Sequence, residues 1–280
     1  MNSRPDIGSA LRKWRERRRL TQLDLALGAG ISTRHLSFVE TGRSKPGRET
    51  LKRILEQLEV PFREQNQLLL AGGYAPAFPE RSLDRPELAP VREALDLILT
   101  RHEPYPAVVV DRAWNLVAVN ASMRALTADV EVDPALLKPP VNVLRLGLHP
   151  RGLAPLYLNP GEWRAHFRER LARQVDVTGD QELAALLEEV VGYPAAVDER
   201  HPTSDAGTSD LLGPLRLRAP GGGEWSFFGM FATFDTPFEV TTSELAIELL
   251  FPADRATAEA FESRTHGRKR KPSSTTGRKR

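Results

Sequence analysis

Leu20-Thr21-Gln22-Leu23-Asp24-Leu25-Ala26-Leu27-Gly28-Ala29-Gly30-Ile31-Ser32-Thr33-Arg34-His35-Leu36-Ser37-Phe38-Val39-Glu40-Thr41-Gly42 holds two short helical patterns separated by a glycine-containing break. Thr21 stands where a side-chain oxygen can cap the first pattern, and Gly28 and Gly30 interrupt it. Ser32 opens the second, Thr33 to Thr41, in which Leu36 and Val39 face inward and Gly42 closes the helix. Upstream, Ile7, Leu11 and Trp14 recur at helical spacing within Asp6 to Arg18, and Asp6 sets a negative charge at the positive end of that helix. Downstream, helices are predicted over about Arg48 to Glu59, with Leu51, Ile54, Leu55 and Leu58 inward, and over about Pro61 to Ala71, with Leu68, Leu69 and Leu70 apolar before Gly72-Gly73. Residues 1–74 thus read as five short helices.

Two short helices joined by a tight glycine-containing turn form a helix-turn-helix, whose second member fits the roughly 12 Å wide major groove. Leu20-Thr21-Gln22, Leu25-Ala26, Ala29-Gly30-Ile31-Ser32, Val39-Glu40 and Gly42 resemble, without a gap, the XRE, lambda-repressor-like DNA-binding family. The resemblance implies an all-α, five-helix lambda-repressor-like domain that binds a double-stranded DNA operator, with Gln22 on a phosphate and Thr33, Arg34, Ser37 and Phe38 toward the bases. Arg34 is the strongest base reader by chemistry, because a guanidinium bonds guanine O6 and N7 together. Phe38 departs from the polar residue often found there; it either touches a thymine methyl or packs on a neighbouring helix. Arg43 and Lys45 suit phosphate contact, as do Arg15, Arg17, Arg18 and Arg19. Glu40 is expected to be structural, since a carboxylate in the groove would repel phosphate. A homodimer is expected, because two half-sites about 34 Å apart multiply affinity.

The 280 residues are 40% hydrophobic and 27% charged, an ordinary globular composition. The absence of cysteine excludes disulfides, thiolate metal sites and cysteine nucleophiles. The net charge of +2 hides three zones: +6 over residues 1–75, −12 over 76–263 and +8 over 264–280. A polyanion is therefore expected at the ends of the chain. No run is long enough for a membrane span and Met1–Asp6 lacks a signal's apolar core, so a cytoplasmic location is expected.

Pro76, Pro79, Pro86 and Pro90 mark residues 75–90 as a semi-rigid connector. A helix follows from about Pro86 to His102, whose Leu88, Val91, Leu95, Ile98 and Leu99 stripe is either core or a dimerising seam. Residues 106–120 read as a hairpin with its turn at Asp111–Asn115. Helices are expected from Asn159-Pro160, carrying Trp163, Phe167 and Leu171, and over about Asp180 to Val191. Strands return at about Leu215 to Ala219, Glu224 to Asp235 and Glu244 to Phe251. Hairpin, helices and three strands describe an antiparallel sheet with helices on one face.

That order resembles a PAS domain. With Gly73-Tyr74-Ala75-Pro76, His102-Glu103-Pro104-Tyr105-Pro106, Trp114-Asn115, Asn120-Ala121, Thr233-Phe234-Asp235 and Phe251-Pro252-Ala253-Asp254, residues 5–258 resemble MmyB-like transcription regulators. The resemblance implies an α+β PAS-like ligand-binding domain over residues 91–260, in which one relative holds a fatty acid. Both alternating faces of Trp225 to Phe234 carry large apolar groups, so that strand borders either a cavity or a plain two-sided core. The candidate lining is Trp114, Trp163, Phe167, Phe227 and Phe231, with Arg164 or Arg168 to pair an acidic head group. The other reading of this half is a protein-interaction or dimerisation module without ligand. Residues 261–280 are expected to form a disordered basic tail, which either adds salt-dependent DNA affinity or is simply solvated.

An enzyme is not expected. His102, His149, His166 and His201 lack metal-ligand spacing, Gly221-Gly222-Gly223 reads as a turn, and Glu188 and Glu189 point apart on a helix. No catalytic residue, metal or cofactor is assigned beyond the fatty-acid-like ligand.

Overall fold

The structure, a computed structural model, describes residues 6–194, 214–235 and 237–268. They form two compact units. The first comprises the described residues of 1–88 with 171–184 and 235–244, and the second those of 89–170, 185–234 and 245–280.

Five helices build the first unit: α1 (Ile7–Arg17), α2 (Gln22–Gly28), α3 (Thr33–Glu40), α4 (Arg48–Gln57) and α5 (Phe62–Ala71). Their starts follow the capping chemistry legible in the sequence. Asp6 accepts from the Ser9 amide at 3.3 Å, Thr21 and Asp24 form a reciprocal capping box, and the Ser32 hydroxyl accepts from the His35 amide at 3.1 Å. Gly30, at φ +64°, turns the chain between α2 and α3, where the Ile31 amide reaches back to the Ala26 carbonyl at 2.9 Å. Leu11, Leu25, Leu36, Leu51, Ile54, Leu55, Leu58 and Leu69 are wholly buried in one apolar core.

Residues 75–90 depart from the expected connector. The Asn66 side chain accepts from the amides of Ala77 and Phe78 and donates to the Phe78 carbonyl, while Phe78 stacks on Phe62 with ring centroids 3.9 Å apart. The prolines shape a segment that is hydrogen-bonded to α5. Against the same helix lies α11 (Val240–Ser243), where Glu244 takes a two-pronged ion pair from Arg63, both contacts at 2.8 Å.

In the second unit, α6 (Ala89–Arg101) is preceded by a 3-10 turn and buries Leu95 and Leu99, so that part of its stripe is core. Strands β1 (Ala107–Val110), β2 (Leu116–Val119), β3 (Leu215–Arg218), β4 (Glu224–Ala232) and β5 (Ala246–Pro252) form one antiparallel sheet in the order β2-β1-β5-β4-β3. The β1–β2 turn is held by Asp111, whose carboxylate accepts from the amides of Ala113 and Asn115 while Trp114 sits at φ +65°. Asn120 caps α7 (Ala121–Thr127), accepting from Met123 and from Ala107 in β1, and Glu103 accepts from the next two amides, Ala121 and Ser122. These bonds give the Glu103 and Asn120 motifs a structural role. Then come α8 (Val143–Leu148), α9 (Pro160–Thr178) and α10 (Gln181–Val191), of which residues 171–184 belong to the first unit.

The final helix, α12 (Arg255–Arg268), was not expected. The boundary anticipated at residue 261 falls inside it, where Phe261 is buried edge-on to Trp225 and Phe227. Residues 269–280 of the anticipated basic tail lie outside the described residues. β4 ends at Ala232, short of Asp235, and its Phe228 stacks on Phe251 of β5.

Gly8 of α1 faces the end of α3 so closely that a Cβ would meet the Val39 carbonyl and lie 2.8 Å from that of Glu40. In an open helix Gly→Ala gains about 1 kcal/mol. Gly8→Ala is instead expected to lower stability by about 1–3 kcal/mol, as overpacking against backbone does, in a urea titration followed by circular dichroism.

Candidate functional site

Helix α3 presents its first turn outward. Ser32 and Arg34 are exposed, Thr33, Ser37 and Phe38 are half-buried, and Leu36, Val39 and Glu40 are buried. No acidic residue lies in that turn, so the positive end of the helix stays uncompensated. The Arg34 guanidinium lies 5.4 Å from the centre of the Phe38 ring, which places Phe38 under the arginine. Arg43 and Lys45 are exposed on the segment after α3. That segment is pinned by Tyr74, which donates to the Pro46 carbonyl at 2.8 Å and has the Lys45 ammonium 5.4 Å from its ring centre.

The acid on this helix is turned away from the surface. The Glu40 side chain is 1% exposed and accepts from Arg15 at 2.7 and 3.0 Å and from the Gln22 amide nitrogen at 2.8 Å. A carboxamide nitrogen carries two hydrogens. Glu40 takes one and so fixes the Gln22 group, leaving the second N–H for another acceptor. Arg15 and Arg18, grouped in the sequence with the phosphate-contacting residues, have internal work instead. Arg15 neutralises Glu40, and Arg18 donates to the carbonyls of Leu58 and Glu59 at 2.8 Å.

The second unit contains a cavity of about 310 Å³, within the size range of small-molecule sites. Val108, Leu116, Val143, Leu144, Leu148, Leu215, Leu217 and Leu250 make most of its wall, and Trp163 and Phe167 also line it. Trp114, Phe227, Phe231, Arg164 and Arg168 are not among the lining residues. Trp114 packs edge-on to Phe167 and Phe231, Phe227 packs on Phe261, and Arg164 donates to the carbonyls of Tyr193 and Pro194. Large aromatic residues were expected there; the wall is chiefly leucine and valine drawn from β1, β2, α7, α8, β3, β5 and the turns and loops between them.

Four lining side chains bring charge or oxygen: Arg124, Thr127, Tyr157 and Glu248. Arg124 is exposed and donates to the Val119 carbonyl at 2.5 Å, and Thr127 donates to the Met123 carbonyl. Glu248 is 8% exposed on β5, paired in register with Val108 of β1 and Phe231 of β4. Burial pushes its carboxyl up to about 7, with Arg170 pulling the other way. Burial and the Glu248 carboxyl likewise push the Tyr157 phenol above its ordinary value. Among the described residues, nothing hydrogen-bonds either group. Glu248 escaped the sequence reading, although an acid inside the apolar run Ala246–Phe251 is a visible anomaly.

Two outcomes test these sites. Glu40→Ala strands the Arg15 guanidinium and is expected to cost about 3 kcal/mol of stability in chemical denaturation, whereas Glu40→Gln keeps an acceptor and costs less. Glu248 binds its proton more tightly folded than unfolded. Its stabilising contribution is full below the ordinary value of 4.5 and is lost as pH rises to about 7, a fall of about 3 kcal/mol. Unfolding titrations between pH 4.5 and 8 should show that fall, and Glu248→Gln should flatten it.

Among the described residues no helix is long and apolar enough to cross a membrane. Residues 11–65 match a helix-turn-helix family, and residues 91–263 match the MmyB-like transcription regulator ligand binding domain. The uncharacterized HTH-type transcriptional regulator RghRB of Bacillus subtilis (strain 168) is 33% identical over 116 residues, 41% of this chain and 75% of that protein. The uncharacterized HTH-type transcriptional regulator Rv0023 of Mycobacterium tuberculosis (strain ATCC 25618 / H37Rv) is 38% identical over 69 residues, 25% of this chain and 27% of its own length. A solved RNA-binding light-oxygen-voltage receptor aligns at 11% identity over 95% of this chain and 65% of its own, with a TM-score of 0.25, too low to relate the folds. With a helix-turn-helix ahead of a ligand-binding-type domain matched over more than half of the chain, this protein belongs to the MmyB-like transcription regulators.

Proposed function

We propose that the protein is a cytoplasmic, sequence-specific DNA-binding regulator that docks α3 in the major groove and responds to a hydrophobic, fatty-acid-like small molecule in its cavity. The observation that carries the DNA reading is the division of α3: its exposed first turn is free of acid, and its one carboxylate is buried against Arg15 and Gln22. Thr33, Arg34, Ser37 and Phe38 then read bases, while Gln22, Arg43 and Lys45 hold phosphates. A homodimer on two half-sites supplies the affinity that one small module lacks. The apolar wall of the cavity supports the ligand reading, as does the family to which residues 91–263 belong.

Base and phosphate roles separate by measurement. After the operator is selected from a random DNA pool, Arg34→Ala should relax preference at one base pair, by about 1–3 kcal/mol of discrimination. Arg43→Ala should weaken all sequences alike and reduce the salt dependence of binding by about one charge. Identical behaviour of the two variants in competition assays overturns the assignment. Native mass spectrometry of the full chain should show a retained lipid-sized mass; a chain that stays empty through lipid titration supports the protein-interaction reading instead.

A further inference from the structure

The wall described above is chiefly apolar, and two of its four polar side chains, Arg124 and Thr127, are hydrogen-bonded to backbone carbonyls. Glu248 is 92% buried on the central strand β5, and neither it nor the Tyr157 hydroxyl meets a hydrogen-bond partner among the described residues. An acid in such surroundings is costly unless something satisfies it. Ionised Glu248 offers only acceptors, and the Tyr157 hydroxyl can accept as well as donate, so the hollow takes a donor.

Resting on the reading of this cavity as a ligand site, and narrowing its fatty-acid-like ligand to one without an ionised carboxylate, we infer that its occupant is an amphiphile whose buried head donates hydrogen bonds, a hydroxyl or an ammonium held by Glu248 and Tyr157. From α9, Arg170 draws Glu248 toward its ionised, acceptor-only form, and Arg124, exposed on α7, gives one of its N–H groups to the Val119 carbonyl. A ligand carboxylate at the buried end would set like charge against Glu248, whereas a tail placed there would leave the acid without a partner. The elevated proton affinity of Glu248 follows from the same lack of partners, and an ammonium would lower it.

Four ligands of one chain length separate the outcomes: 1-octanol, octylamine, octyl methyl ether and octanoate, titrated calorimetrically at pH 7.5 into the full-length protein below their micelle concentrations. Octanol or octylamine should bind at least tenfold more tightly than both the ether and octanoate, and whichever leads says whether the head is neutral or cationic. Glu248→Leu should remove that advantage while leaving the ether's affinity unchanged or improved. If that variant does not fold, Glu248→Gln should remove the octylamine advantage. Equal binding of all four ligands, or tightest binding of octanoate, overturns the donor assignment and leaves the cavity reading intact. Failure of all four to bind overturns the cavity reading itself.

Discussion

The first unit is organised around one buried carboxylate, that of Glu40. It is the last residue of α3, and its charge is neutralised below the surface by the two-pronged bond from Arg15 and the amide of Gln22. One network thus joins α1, α2 and α3 at the point where their relative positions decide which α3 side chains face out. Gly8 brings α1 close enough to α3 for that network to close, and the wholly buried leucines beneath make the helices share one core. The arrangement of these three helices depends on a fully compensated buried charge.

The second unit treats its buried acid in the opposite way. Among the described residues no guanidinium is clasped to the oxygens of Glu248 as one is to those of Glu40, and burial raises its proton affinity against the pull of Arg170. A compensated buried carboxylate organises a fold; one left wanting inside a cavity is a stability cost that persists naturally where a ligand supplies the missing partner. The contrast between the two glutamates separates scaffold from site within one chain.

The helices of the head, their caps and the turn at Gly30 were legible because each rests on interactions within a few residues. The order of strands and main helices was legible for a similar reason, as runs of Ala107–Val110 or Leu215–Leu217 alternate or cluster too strongly to read otherwise. Short α7, α8 and α11 offer too few turns for a period to show, and α12 hides its one buried aromatic, Phe261, at the edge of a charged stretch. The prolines of residues 75–90 suggested a semi-rigid connector, and the clamp that holds the segment, Asn66, could not be foreseen because it belongs to another element. Counting basic residues likewise left Arg15 and Arg18 indistinguishable from their neighbours, since their acceptors at Glu40, Leu58 and Glu59 lie 25 to 41 positions away.

By itself the sequence determined the head helices, the strands and the long helices of the second half, that α3 is capped at Ser32, and that the chain carries a helix-turn-helix ahead of an antiparallel α+β half. Only the tertiary structure decided which arginines face solvent, which residues wall the cavity, and that the carboxyl of Glu248 points a chemical demand into it. The division has one cause. Local structure is set by neighbours in sequence, whereas burial and the pairing of charge depend on groups that meet only when distant segments pack.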